Sequence, residues 1–120
     1  MLNQVCVLTV KVNDMAKGVE FYTEILDFNV GKKYGDNIMS LEHNGVPFIL
    51  EKSDDTNPST SSNVLLAIQS SNIQGDFKRL QDKGVTMIFD EPKPCPPGYY
   101  FVIEDYSRNQ IEIVEFIEKE

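Results

Sequence analysis

VNDMAKGVEFYTEILDF, residues 12–28, is the stretch on which the fold turns. It joins the end of an apolar run to a segment with helical spacing. Asn13 and Asp14 can accept hydrogen bonds from the first free amides of a helix. Met15, Val19, Tyr22 and Leu26 then recur at i, i+4, i+7 and i+11, one face of a helix, with Lys17, Glu20 and Glu24 off it. Asp27 ends the helix, and Phe28-Asn29-Val30 starts an extended segment. Upstream, Val5, Val7 and Thr9 fall on one side of a strand, and Cys6, Leu8 and Val10 on the other. Both sides are largely apolar, the pattern of a strand buried on both faces.

Downstream, strands are expected over about 28–34, 38–42 and 47–52, with Asn44-Gly45 as a tight turn between the last two. Residues 53–62, SDDTNPSTSS, are polar and form the one clear linker. The order then repeats. Val64 to Ile68 reads as a strand, and Ser70 to Asn72 offer helix caps. Ile73, Phe77 and Leu80 recur at helical spacing, and Gly84 is placed to stop the helix in a left-handed turn. Val85 to Phe89 is extended, Glu91 to Gly98 is a stiff proline-rich loop, and Tyr99 to Glu104 and Gln110 to Phe116 are strands joined by a turn at 105–109.

Laid on one another, the halves bring Leu8 against Val64 and, with one residue inserted, Gly18 against Gly75 and Phe28 against Val85. Helix then antiparallel strands, twice, predicts an α+β fold of two βαβββ modules. The first spans about 1–52 and the second about 63–117, with 118–120 a charged tail. The modules are expected to form a curved mixed sheet, a half-barrel cleft with the helices outside, suited to a small ligand.

Composition narrows the function. The 120 residues, 41% hydrophobic and 25% charged, fit one globular domain. A net charge of −8 and a pI of about 4.6 repel phosphate backbones, which argues against a nucleic-acid partner. No run approaches the roughly 20 apolar residues that span a bilayer, so no membrane role is expected. The N-terminus has no basic segment followed by an apolar run, so no signal peptide is read there. Cys6, in an apolar strand pattern, is expected to be a buried thiol, and Cys95, between two prolines, an exposed one. Two unpaired cysteines point to the cytoplasm.

Two motifs carry a resemblance. Val12-Asn13-Asp14, Phe21-Tyr22 and Leu26-Asp27-Phe28 resemble the opening helix of the vicinal oxygen chelate superfamily, which holds glyoxalase I, extradiol dioxygenases, and fosfomycin- and bleomycin-resistance proteins. EDYSRNQIEIVE, residues 104–115, is similar to the family's closing Asp-Pro-x-Gly-Asn-x-Ile-Glu-Leu turn and strand. Asp105, Asn109, Ile111 and Glu112 match; Tyr106 and Arg108 replace the proline and glycine.

The resemblance implies where a divalent metal would sit: on one inward residue from each of four strands. Those positions fall on Val7, about Ile49, Asn63 and Glu112. Valine and isoleucine offer no lone pair and Asn63 is a weak neutral donor, whereas such a site needs about three N or O ligands. No metal and no other cofactor is therefore expected. Glu112 reads equally as a cavity carboxylate, acting as counter-ion or base, or as a strand residue facing water at the cleft mouth. Glu51 would join the cleft only if strand 47–52 were shifted by one residue. Tyr100 belongs to a strand with one face toward the cleft and reads as an aromatic wall or as core. His43, the only histidine, reads as an exposed turn residue.

The resulting expectation is a metal-free binding protein for a small cationic or amphipathic molecule, of the bleomycin-resistance kind. The resemblance also implies a homodimer, since the family often builds clefts at a two-fold interface. The competing expectation is a lyase, isomerase or dioxygenase with an unconventional ligand set around Glu112.

Overall fold

A computed structural model describes residues 2–3, 5–53 and 65–117. The chain divides into two compact units, residues 1–58 and 59–120. Most of the expected linker and the whole charged tail, residues 118–120, lie outside the described residues.

In the first unit, β1 (Leu8–Val12) leads to α1 (Met15–Glu20), which continues as a π-helical turn, Phe21–Ile25. β2 (Val30–Lys33), β3 (Ile38–Leu41) and β4 (Phe48–Lys52) follow. The sheet order is β1-β4-β3-β2. β1 runs parallel to β4, with Leu8 beside Phe48 and Val10 beside Leu50, and the other pairs are antiparallel. Asp14 caps α1 by accepting from the Lys17 amide at 3.1 Å.

The buried side of this helix is not the one its spacing suggests. Gly18, Phe21, Tyr22 and Ile25 are buried, whereas Met15, Val19 and Leu26 are half-exposed. The cause is the wide turn, in which the Leu26 amide donates to the Phe21 carbonyl at 3.2 Å. It brings adjacent Phe21 and Tyr22 inward together. Gly18 lets the helix approach β1 closely: a Cβ there would lie 3.1 Å from the Val12 methyls. Tyr22 meets Phe48 edge-on at 5.6 Å, and Phe48 meets Phe28 at 5.2 Å.

β1 is also shorter and more one-sided than its composition suggests. It starts at Leu8; Val5, Cys6 and Val7 are exposed, as are Thr9 and Lys11. The helix covers one face of this sheet, so only Leu8, Val10 and Val12 gain from being apolar on that side. Cys6 is therefore an exposed thiol and Cys95 a half-buried one, the reverse of expectation; both are free.

The second unit repeats the arrangement. β5 (Leu66–Gln69), α2 (Ile73–Asp82), β6 (Thr86–Met87), β7 (Lys93–Cys95), β8 (Gly98–Glu104) and β9 (Gln110–Phe116) form a sheet of order β5-β9-β8-β6, with β7 also on β8. As in the first unit, the first strand runs parallel to the last. The two orders correspond strand for strand, and β7 is the addition. The fold is thus α+β, two mixed sheets each with a helix, and no closed barrel.

α2 starts at Asn72, whose side-chain oxygen accepts from the Gly75 amide at 3.1 Å. It buries Ile73, Phe77 and Leu80, the face its spacing indicates. Phe77 stands edge-on to Phe101 at 5.0 Å, which fixes the helix on the Phe101, Ile103, Ile111 and Ile113 side of the sheet. The proline-rich stretch is not a plain loop. Its middle pairs with β8 as a hairpin turned at Pro96-Pro97, Cys95 facing Gly98. Pro94 is tolerated because β7 is an edge strand needing few amide donors. Among the described residues, no helix is long and apolar enough to cross a membrane.

Candidate functional site

In each unit the helix covers one sheet face and leaves the other without a helix. Strand alternation decides which side chains lie there.

In the first unit the helix-free face carries Thr9 and Lys11 from β1, Ile38 and Ser40 from β3, and Ile49 and Glu51 from β4, as the register shows. Val7 directly precedes β1, and alternation puts it on this side. Ile49 and Glu51 are two residues apart on one regular strand, so they share the face with no slip of register; the need for a one-residue shift is corrected. Glu51 is not a lone base. Lys11 Nζ lies 3.9 Å from its Oε1, with side-chain exposures of 64% and 39%. The Ser40 hydroxyl accepts from the Lys32 amide at 2.7 Å, where β2 loses register with β3. His43 is exposed in the turn before β4, and its Nδ1–H donates to the Val46 carbonyl at 2.9 Å.

In the second unit the helix-free face carries Ala67 and Gln69 from β5, Tyr100, Val102 and Glu104 from β8, and Glu112 and Val114 from β9. Two expected site residues therefore share it. Tyr100 is half-buried opposite Val114, and Glu112 is half-buried between Ala67 and Val102. Three features of this face escaped the sequence reading. Phe89 meets Tyr100 edge-on at 5.1 Å. Lys93, paired opposite Tyr100, places Nζ 5.8 Å from the Phe89 ring and 3.7 Å from Asp90. Glu104 lies diagonal to Glu112. The available signal was the Pro-Pro-Gly turn, which marks a hairpin and so brings Lys93 alongside Tyr100.

Asn63 lies outside the described residues. The other three positions that the resemblance assigns to a metal do not fit one. Val7 and Ile49 are hydrocarbons, and Glu112 has apolar cross-strand neighbours on both sides. Among the described residues, no three His, Cys, Asp or Glu side chains are grouped so that they could hold a metal ion.

The closing turn is built around Asp105, which is buried. Its carboxylate accepts from the Ser107 and Asn109 amides, both at 2.8 Å, and from Asn109 Nδ2 at 2.9 Å. This gives the Asp…Asn pair of the closing motif a physical role: it holds β8 and β9 in the register that puts Glu112 on the helix-free face.

Solved structures share the architecture. A glyoxalase/bleomycin resistance protein/dioxygenase from Nocardioides matches with a TM-score of 0.80 at 17% identity, over 100% of this chain and 87% of that one. An antibiotic-binding protein from Streptomyces, TnmS3, matches at 0.72 and 25% identity, over 97% and 98%. A fosfomycin resistance protein, FosX, from Listeria monocytogenes, solved with Mn(II), matches at 0.72 and 19%, over 94% and 90%. No curated protein matches the sequence. The sequence model of one family matches residues 3–113, nearly the whole of both units. The paired βαβββ units and the Asp105-centred closing turn are thus those of a member of the Glyoxalase/Bleomycin resistance protein/Dioxygenase superfamily, the family to which this chain belongs.

Proposed function

We infer that this protein binds a small cationic or amphipathic molecule on its helix-free sheet faces, without the metal on which the superfamily's enzymes rely. The observation that carries this is the donor set: Val7 and Ile49 stand where the resemblance asks for metal ligands, and neither has a lone pair. The likeness to an antibiotic-binding protein at 25% identity over 97% of the chain supports binding as the role. The reading extends to a homodimer working in the cytoplasm, consistent with two free thiols.

Metal analysis of the purified protein tests the central claim. The expected result is no stoichiometric divalent ion and a melting temperature unmoved by a chelator. A bound ion that disappears in Glu112→Gln would overturn it in favour of a metal-dependent lyase, isomerase or dioxygenase. A thermal-shift screen of cationic and amphipathic drugs tests binding, because a ligand at about 100 times its Kd adds roughly 2.7 kcal/mol. For the dimer, light scattering should give about twice the 13.6 kDa of one chain.

A further inference from the structure

Half-buried glutamates on the strands of this chain differ in company. Glu51 has Lys11, and Glu115 accepts a hydrogen bond from the Ile73 amide at 2.9 Å. Glu104 and Glu112, half-buried too, make no hydrogen bond or ion pair with any described residue, and of the two only Glu112 has a hydrocarbon cross-strand neighbour on each side. Its cross-strand neighbours are Ala67 and Val102, and the nearest charge on its face is Glu104, a like charge one diagonal away. A partly desolvated carboxylate with hydrocarbon on both cross-strand sides, no hydrogen bond and a like charge nearby adds little to the sheet, and a neutral residue would serve the fold better.

The rest of the face has direction. Next to Glu112 on the other diagonal is Tyr100, whose ring is propped edge-on by Phe89 at 5.1 Å. Beyond Tyr100 comes Lys93, its ammonium held over the Phe89 ring and beside Asp90. The face thus runs from the Glu112 carboxylate, with Glu104 on its far diagonal, across an aromatic ring, to a cation already engaged. A ligand fitting that sequence carries its positive charge at the Glu112 end and a flat apolar body along Tyr100. An aromatic ring near an ammonium adds a cation–π attraction to the ion pair.

Resting on the reading that this face holds a small molecule, we propose that Glu112 is the anchor for a protonated amine on a ligand whose flat apolar body lies against Tyr100. Proflavine, a flat fluorescent cation, and acridone, an uncharged three-ring analogue, test this by titration against the full chain. The wild type should bind proflavine about fivefold or more tightly than acridone, the upper part of the range for a partly exposed ion pair. Glu112→Gln should abolish that preference while leaving acridone affinity unchanged, which also reports that the variant is folded. Glu20→Gln, which removes an equal charge from exposed α1, should keep the preference. A preference that survives Glu112→Gln, or that Glu20→Gln reduces as much, overturns the anchor and leaves binding at this face standing. Failure of the wild type to bind either probe overturns both.

Discussion

Asp27 and Gly84 end the two helices in the same left-handed backbone conformation, with φ of 68° and 80°. They precede Phe28 and Val85, which correspond in the repeat, so the two units share a helix stop at the level of one dihedral angle. The second unit fills it with the residue that has no Cβ to clash; the first uses aspartate, which tolerates the region better than most. Arg108, in the closing turn, also has a φ of 68° and lacks aspartate's excuse. Arg108 stands where the closing motif that this turn resembles has glycine. Arg108→Gly should stabilise the protein by about 0.5–1 kcal/mol, the relief of left-handed strain less the extra freedom of glycine in the unfolded chain. Asp27→Gly should give less. Urea denaturation of the two variants checks both the sign and the order.

Glu115 reaches from β9 to the first amide of α2, and its negative charge sits at the positive end of the helix dipole. Glu115→Ala should cost about 1–2 kcal/mol, a lowering of the melting temperature by roughly 3–8 °C. Glu115→Gln should recover part of the loss, since it keeps an acceptor but not the charge.

Gly98 answers to space rather than to dihedral angle. A Cβ at this position would overlap the Glu115 carbonyl oxygen and crowd the Ile117 amide, both backbone atoms with little freedom to move. Gly98→Ala should therefore destabilise by at least about 2 kcal/mol and loosen the hairpin that carries Lys93. Thermal melting with amide exchange across residues 93–104 would register both effects.

Lys11 and Glu51 pair on the helix-free face of the first unit, but both side chains are wet. A double-mutant cycle should return a coupling below about 1 kcal/mol, falling further in high salt. A larger, salt-insensitive coupling would mean that this face excludes water.

Where the sequence is regular, it discloses the structure. Ile73, Phe77 and Leu80 mark the buried side of α2, and Gln110–Phe116 is the last strand to the residue. Both elements follow one repeat period with clear stops at either end. Met15, Val19 and Leu26 mislead, because a single wide turn at Phe21–Ile25 changes the period partway along the helix. The run from Val5 misleads for another reason: apolar residues there look buried, yet the strand begins later and has cover on one side. On the second sheet, Tyr100 and Glu112 share a face because their strands pair without a bulge. Phe89 and Lys93 stayed hidden, since pairing across a proline-rich hairpin leaves little trace in periodicity.

The parallel pairing of first with last strand in each unit sets an order of events. β2, β3 and β4 can zip together through short turns, but among the described strands β1 pairs only with β4, about forty residues later, Leu8 beside Phe48. The loop-closure entropy of that contact is met late. β1 therefore gains its ladder only from a strand made some forty residues after it. The same delay recurs for β5, which waits for β9. Glu112 stands at that second junction: its strand meets β8 across a short turn, and the long-range contact with Ala67 is the one that carries the larger closure cost.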